Sequence, residues 1–228
     1  MKTTKATKMV LCGAAVALLG MVFVACGTRA PARPAADELV SVPVVGEWHY
    51  FDDEDNDGTS TIEMMETEVG GMLAMYFAGE ITESFQWGFA GFGIDLDDVT
   101  MELVYAAAAV SFMIRGDGQR YTIRLEASNV ADYGHFEYSF DTVAGETARI
   151  TVPIRNFMQP AWALQVGRLR LDLVTAVSWQ THEIWRPGSF ELTVWDVNLY
   201  VPAGVAASAE VARAVALLAA AEEVENED

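Results

Sequence analysis

The feature that most constrains the fold is a series of short runs in which apolar and polar residues alternate, separated by Gly, Asp and Asn. The runs are rich in aromatic and β-branched residues, which favour strands, while the separators favour turns. Short strands at regular spacing predict an all-β sandwich or barrel. The clearest runs are 61–68, 72–80, 110–115, 121–127, 135–141, 148–154, 168–175 and 190–201.

Alternation within the runs assigns one face of each strand to the core. In the run 121–127, for example, Thr122, Arg124 and Glu126 fall on the polar side. One buried and one solvated face per strand is typical of antiparallel sandwiches. The predicted core positions are Val110, Phe112, Ile114, Tyr121, Ile123, Leu125, Phe136, Tyr138, Phe140, Leu169, Leu171 and Leu173.

The N-terminal segment 1–25 is predicted to be a secretory signal peptide. Lys2, Lys5 and Lys8 precede an apolar run that ends in a small residue directly before Cys26. This junction resembles the lipobox of bacterial lipoproteins, in which the Cys is acylated. We therefore expect an extracytoplasmic protein, lipid-anchored through Cys26 to the inner or outer membrane of the cell envelope. An ordinary cleaved signal peptide is the alternative.

Composition divides the rest of the chain. The Ala- and Pro-rich stretch 26–42 predicts a flexible tether, residues 43–202 form the predicted β-domain, and the Ala-rich, acidic stretch 203–228 predicts a C-terminal helix with a frayed end. Cys12 and Cys26 are the only cysteines, and both precede the domain. The domain must therefore be stabilised by its packed core and not by disulfides.

The charge balance restricts the partners. The chain has 14 Lys and Arg against 33 Asp and Glu, a formal net charge of −19. Such a surface repels nucleic acid phosphates and anionic lipid head groups. We expect no nucleic acid partner and membrane contact only through the lipid anchor.

The stretch 115–117 spells Arg-Gly-Asp, the tripeptide of cell-adhesion proteins. Two of these residues, Gly116 and Asp117, are followed by Gly118, and the three lie between two predicted strands. Gly and Asp favour tight turns, so we predict a hairpin turn here. Display of the tripeptide to a receptor is the alternative.

This segment also carries a family resemblance. The pattern Phe112-x-Ile114-Arg115-Gly116-Asp117-Gly118-x-x-Tyr121-x-Ile123-x-Leu125 resembles the complex I intermediate-associated protein 30 family and carbohydrate-binding module family 11. Further blocks are Tyr138-x-Phe140, Ile150-x-Val152-Pro153-Ile154-x-x-Phe157, the stretch 190–199, and Trp48 with the loop 55–60. The resemblance covers roughly 44–201 and implies a galactose-binding-like β-jelly roll.

The acidic loop after Trp48 suggests a metal. Asp53-x-Asp55-x-Asp57-Gly58 matches the first half of a calcium loop, although Met64 occupies the position of the bidentate Glu. The resemblance implies a structural calcium held by the first loop and the last strand, which adds Asp196. A solvated acidic turn is the alternative.

Carbohydrate recognition needs aromatic platforms for sugar rings and planar polar side chains for hydroxyls. We predict a ligand site built from Trp48, Tyr50, Trp87, Arg124, His135 and Trp162. The alternative is that the Trp residues belong to the core and the charged residues form cross-strand pairs. Further candidates of the same types are Trp179, Trp185, Glu126, Glu137, Arg170 and Asp172.

Catalysis has little support in the sequence. The chain after Cys26 has no Cys nucleophile, no Gly-x-Ser-x-Gly elbow and no phosphate-binding glycine loop. His49, His135 and His182 lack metal-ligand spacing. We therefore predict a non-enzymatic lipoprotein that binds a polysaccharide or another glycan. The alternative is a protein-interaction or assembly lipoprotein, as the resemblance to the complex I intermediate-associated family implies. Clustering of Trp48, Trp87 and Trp162 around one groove would favour the glycan, whereas burial of the same residues would favour a protein partner or no ligand.

Overall fold

The computed structural model describes residues 38–181 and 187–209. The described residues form eleven β-strands in two antiparallel sheets, with the α-helix α1 (Asp98–Tyr105) between β5 and β6 and a helical stretch at 203–209. The predicted all-β sandwich is confirmed. The strands are β1 (Leu39–Pro43), β2 (Gly46–Asp52), β3 (Thr61–Val69), β4 (Met72–Ile81), β5 (Ala90–Leu96), β6 (Ala109–Gly116), β7 (Arg120–Ala127), β8 (Phe136–Asp141), β9 (Thr147–Pro153), β10 (Val174–Thr181) and β11 (Gly188–Pro202).

Strand order defines the two layers. Sheet A has the order β3-β4-β11-β6-β9, and β1 pairs with the C-terminal part of β11. Sheet B has the order β2-β5-β10-β7-β8. The sheets bury one face each against the other, which leaves an outward face on both.

The core lies between these sheets and follows the predicted alternation. Phe112 and Ile114 of β6 and Ile123 and Leu125 of β7 are at most 1% exposed. Trp179 of β10 is fully buried, with its ring centroid 5.3 Å from that of Phe112. Removing one large apolar side chain of this kind from water contributes about 2–3 kcal/mol to folding. One predicted core residue differs, because Tyr138 lies on the edge strand β8 and stays 36% exposed.

The chain bends at Gly118 between β6 and β7, but the prediction of a hairpin was wrong. β6 belongs to sheet A and β7 to sheet B, so the chain crosses between the layers here. Asp117 fixes the crossover: its Oδ1 accepts from the Gln119 backbone N–H, and its Oδ2 accepts from the Tyr121 hydroxyl and the Glu191 backbone N–H, at 2.9, 3.0 and 3.0 Å. The carboxylate of the Arg-Gly-Asp tripeptide is thus bonded within the protein.

Two predicted boundaries differ from the structure. The stretch 168–175 was predicted as a strand, but Leu171–Leu173 is a 3-10 turn and β10 starts at Val174. The predicted tether reached residue 42, whereas Leu39–Pro43 pairs with β11 as β1. Burial explains the second difference, because Val42 is only 5% exposed.

The runs of alternating residues in the sequence did not predict β2, β5 or α1. The helix has a clear local cause, since the Asp97 side chain caps it by accepting from the Thr100 backbone N–H at 2.6 Å. The helix ends at Tyr105, and residues 106–108 link it to β6.

At the C-terminus, residues 203–209 are helical, which agrees with the predicted helix over that part. The predicted signal peptide, Cys26, most of the tether and the tail from residue 210 lie outside the described residues. Within 38–181 and 187–209, no helix has the length and apolarity that crossing a membrane requires.

Candidate functional site

The outward face of sheet B carries a row of polar side chains, and we call this surface the polar face. Strand register aligns His49 of β2, Gly93 of β5, Ser178 of β10, Arg124 of β7 and Glu137 of β8. The row runs straight across all five strands of the sheet. Because side chains alternate along each strand, the neighbouring outward positions lie two residues away.

Two further rows flank the central one. Several of their members are well buried although they point away from the core; Thr122 is 2% exposed and Gln180 is 7% exposed. Buried polar groups on an open sheet face are uncommon unless they are hydrogen-bonded or contact a ligand. The flanking rows are Glu47, Asp95, Ala176 and Glu126, followed by His135 before β8, and Phe51, Gly91, Gln180, Thr122 and Ser139.

Glycines in β5 shape one side of the polar face. A Cβ at Gly93 would lie 2.9 Å from His49 Cε1, and one at Gly91 would lie 2.4 Å from Phe51 Cζ. The two rings therefore lie across β5, where only Gly leaves room for them. Their centroids are 6.1 Å apart. The result is an aromatic strip along β2 and β5.

Arg124 is the central charge of the polar face. Its side chain is 14% exposed, and its Nε lies 3.6 Å from Glu137 Oε2. Burial lowers the pKa of Arg124, an effect that Glu137 and Glu126 oppose. The Nε is buried and has no hydrogen-bond partner among the described residues. A planar guanidinium, which carries several N–H donors, is suited to a hydroxyl or carbonyl oxygen of a ligand.

Glu126 joins Arg124 to a histidine. Its Oε1 accepts from the Ser178 hydroxyl, and its Oε2 lies 4.0 Å from His135 Nε2. Burial lowers the pKa of His135; Glu126 and Asp132 raise it, and Arg124 lowers it further. The imidazole is therefore neutral at neutral pH. On the same face, towards the opposite edge of the sheet, His49 Nδ1 lies 3.2 Å from Asp95 Oδ2.

A loop borders the His135 end of the polar face. Met158 exchanges backbone hydrogen bonds with Glu137 on the free edge of β8. The Leu164 backbone N–H donates to the Asp132 carboxylate, and a Cβ at Gly134 would lie 2.1 Å from Ala163 Cβ. The loop that carries Trp162, which is 67% exposed, is thus fixed beside the residues that precede His135.

The structure brings some predicted site residues together and separates others. Arg124 and His135 both lie on the polar face, with the further candidates Glu126 and Glu137. Trp48 points to the opposite side of β2, where its ring stacks on Trp179 at a centroid distance of 5.9 Å. It is therefore part of the aromatic core and not a platform on this face.

The remaining aromatic candidates lie in different places. Tyr50 is on the same side of β2 as Trp48 and is 54% exposed at the sheet edge. Trp87 is in the β4–β5 loop, edge-on to Phe85 at 5.7 Å. Strand directions place this loop and the Trp162 loop at opposite ends of sheet B, so the three Trp residues do not surround one groove. Trp185 and His182 lie outside the described residues.

Sequence reasoning missed His49, Phe51, Ser178, Gln180 and the two glycines of β5. The signal was present in the alternation of 49–51 and in the pattern Gly-Phe-Gly at 91–93, but neither stretch was recognised as a strand. Arg170 and Asp172 pair with each other in the segment before β10.

Two of the four predicted calcium ligands, Asp53 and Asp196, are engaged by other protein groups. Asp53 is fully buried, and its carboxylate accepts from the Ser60 backbone N–H and hydroxyl at 2.9 and 2.7 Å. Asp196 is bonded to Arg149 and Asn198 instead. Across the described ranges, no group of three or more His, Cys, Asp or Glu side chains is arranged to hold a metal ion. Asp55 and Asp57 are exposed beside Asp53.

The two antiparallel sheets and the open polar face define a galactose-binding-like β-jelly-roll domain. The model of the complex I intermediate-associated protein 30 (CIA30) family matches residues 40–194, so the chain belongs to this family. No curated protein matches the chain.

Solved structures agree on the fold. The chain is similar to the family 11 carbohydrate-binding module of the cellulosomal cellulase Lic26A-Cel5E of Clostridium thermocellum, with 19% identity, 74% of this chain and 93% of that chain covered, and a TM-score of 0.52. It is also similar to a family 11 module from Clostridium thermocellum in complex with a β-1,3-1,4-mixed-linked tetrasaccharide, with 19% identity, coverage of 74% and 98%, and a TM-score of 0.51. The jelly roll expected from the resemblance is confirmed.

Proposed function

We propose that the protein binds a glycan on the polar face without cleaving it. The observation that carries the proposal is the cross-strand row of His49, Ser178, Arg124 and Glu137, with Gly93 between its first two members. This row places hydrogen-bonding groups on a continuous surface wide enough for more than one sugar ring.

The chemistry of the row suits sugar hydroxyls. Arg124 donates, Glu126 and Glu137 accept, and a neutral imidazole can do either. The rings of Phe51 and His49 offer apolar surface for the C–H face of a pyranose. A related fold holds a mixed-linked tetrasaccharide, which supports an oligosaccharide as ligand for this chain as well.

Charge favours a neutral glycan over an anionic one. The outward positions of sheet B carry Glu47, Asp95, Glu126, Glu137 and Asp141 against the guanidinium groups of Arg120 and Arg124. The chain as a whole has a net charge of −19. Anionic polysaccharides would be repelled over a distance of about 10 Å at ordinary ionic strength.

The test is affinity electrophoresis of the protein in gels that contain neutral polysaccharides, including mixed-linked β-glucan, or anionic ones. We expect retardation by a neutral polysaccharide and a loss of affinity of about 10- to 100-fold in Arg124→Gln, since a charged hydrogen bond is removed. Arg115→Gln, which changes an exposed Arg on sheet A, is the matched control. A folded protein that no polysaccharide retards would contradict the proposal.

We further propose that the protein is held at a bacterial cell envelope by a lipid on Cys26. Support comes from the order of charged, apolar and small residues before this Cys. Cys26→Ser should release the protein from the membrane fraction, whereas Cys12→Ser, inside the apolar run, should not. Membrane retention of Cys26→Ser would contradict the anchor.

A second candidate function is binding of a protein partner. It is supported by a group of exposed apolar side chains beside β8. Tyr133, Met158, Trp162 and Leu164 are 67–80% exposed, and they lie on two loops that are bonded to each other. Exposed apolar groups of this kind often mark interaction sites. A partner recovered in stoichiometric amount by the wild type and lost in Leu164→Asp would favour this function.

A further inference from the structure

The chain enters the sandwich at one end, where two long connections also lie. The start of β1 pairs with the end of β11, and the same end of β11 pairs with the start of β6. Because β6 crosses directly into β7 at Asp117, the end of β7 lies at this end of the sandwich as well. The connections 128–135, from β7 to β8, and 154–173, from β9 to β10, therefore lie here. We call the start of β1 and these two connections the entry end.

The two connections carry a group of exposed, large apolar side chains, which we call the apolar tip. Its members are Tyr133, Met158, Trp162 and Leu164, each 67–80% exposed. The connections are fixed to each other, since Gln159 Nε2 donates to the Gly134 carbonyl at 2.8 Å. The Val166 backbone N–H donates in turn to Gln159 Oε1 at 2.8 Å. The apolar tip is thus held on an ordered base, and such groups mark a surface that contacts a protein or a membrane.

The charge of this region differs from that of the rest of the chain. The stretch 154–171 contains Arg155, Arg168 and Arg170 and no Asp or Glu, in a chain with 14 basic and 33 acidic residues. All three Arg residues are exposed, and Arg170 pairs with Asp172. Aromatic, aliphatic and cationic side chains on one exposed surface are suited to a bilayer that contains anionic lipid.

The length of the chain before β1 brings the entry end close to the predicted anchor. The twelve residues 27–38 separate Cys26 from β1. An extended chain of this length reaches at most about 40 Å. A lipid on Cys26 would therefore hold the entry end near the bilayer, where a weak contact is favoured by the high effective concentration.

We propose that the apolar tip docks on the surface of a bilayer that contains anionic lipid. This docking rests on the proposed lipid anchor and extends the contact beyond the lipid itself. Trp162 and Leu164 lie at the level of the head groups, and Arg155 and Arg168 face the lipid phosphates.

The acidic character of the whole chain is compatible with this docking. The net charge of −19 repels an anionic surface. That repulsion is screened beyond about 8 Å at physiological salt, so the residues nearest to the bilayer decide the contact. The same repulsion turns the acidic remainder of the domain away from the membrane, which favours one orientation.

The test uses the full chain, anchored in vesicles of phosphatidylcholine and phosphatidylglycerol. Bromine atoms on the lipid chains near the head groups quench the fluorescence of adjacent indoles. We expect brominated lipid to quench part of the tryptophan emission of the wild type, and we expect this quenching to be lost in Trp162→Phe. Trp87→Phe, the same change in the β4–β5 loop at the opposite end, should keep the quenching. Both residues are exposed, and thermal unfolding checks the fold of each variant.

Charge variants test the contribution of the cations. Arg155→Glu/Arg168→Glu should reduce the quenching, whereas Arg115→Glu, on the outer face of sheet A, should leave it unchanged. Equal quenching in these two variants would overturn the proposal.

Flotation of the vesicles separates the anchor from the docking. A wild type that floats with the vesicles, but whose quenching does not depend on Trp162, would overturn the docking and leave the anchor. The apolar tip would then belong to a protein partner. A wild type that does not float with the vesicles would overturn both.

Discussion

Arg124 shows how strongly a single side chain on the polar face depends on its neighbours. It is mostly buried, close to Glu137, and under the influence of Glu126. A charge in such a place is stable only because the opposite charges compensate its lost hydration. Arg124 thereby contributes to the stability of the fold as well as to the proposed ligand site.

The first prediction concerns this ion pair. Arg124→Leu should lower the free energy of unfolding by about 2–4 kcal/mol, because it removes a buried cation from its partly buried carboxylate partners. The double variant Arg124→Leu/Glu137→Leu should recover part of that loss. The coupling free energy between Arg124 and Glu137 is measured by urea denaturation of the wild type, both single variants and the double variant. A double variant that is less stable than the sum of the single changes predicts would contradict the assignment.

The second prediction concerns His135 and pH. Its folded pKa lies below that of the unfolded chain, so the unfolded state binds the proton first as the pH falls. The contribution of His135 to the free energy of unfolding is therefore fully present above the pKa of the unfolded chain. It is lost as the pH falls from about 6.5 towards the lower pKa of the folded state. The unfolding temperature should decrease less over this range in His135→Gln than in the wild type. An equal decrease of the unfolding temperature with pH in both proteins would contradict the lowered pKa of His135.

At the scale of elements, the crossover between β6 and β7 depends on Asp117. Burial and the Asp117 carboxylate raise the pKa of Tyr121 far above its usual value, which agrees with a hydroxyl that donates permanently to Asp117. Asp117→Ala should reduce the free energy of unfolding by about 1–3 kcal/mol. Denaturant midpoints measure this, with Glu146→Ala as an exposed control. A change no larger than that of the control would contradict the role.

The edge strand β1 provides the next prediction. It pairs with β11 from Leu39–Pro202 to Pro43–Asn198, and it buries Val42. A chain that starts at residue 44 should therefore be about 2–4 kcal/mol less stable than a chain that starts at residue 38. The two chains can be compared by urea denaturation. Equal stability would mean that β1 is not part of the folded unit in solution.

The success and failure of sequence reasoning can be traced to particular elements. Alternation correctly assigned β6 and β7, because every second residue there is apolar and buried. It could not show that these strands belong to different sheets, since alternation specifies the face of a strand and not its partner. β5 escaped notice because its Gly91 and Gly93 weaken the strand signal, yet they make room for the rings of Phe51 and His49.

The candidate site was predictable only where strand assignment succeeded. Arg124, Glu126, His135 and Glu137 lie on β7, β8 and directly before it, and these residues do share a face. Trp48 was assigned to the ligand site by residue type alone, but it packs on Trp179 inside the sandwich. Residue type indicates a function only once the face of the strand is known.

For the whole molecule, the charge balance gives a prediction that is independent of any site. The whole chain has a net charge of −19, and repulsion among its many like charges opposes folding. Raising NaCl from about 0.01 to 0.15 M, which shortens the screening length to about 8 Å, should raise the unfolding temperature. Sodium sulfate and choline chloride at equal ionic strength serve as controls. A temperature that does not change with salt would contradict this repulsion.

The pairing of β1 with β11 also brings the two ends of the domain together. Leu39 lies opposite Pro202, and the Ala203 backbone N–H donates to the Glu38 carbonyl at 3.0 Å. A short peptide could therefore join these ends, and new termini could be opened at an exposed turn such as Gly70-Gly71. The domain is thus suited to circular permutation and to insertion into a surface loop of another protein.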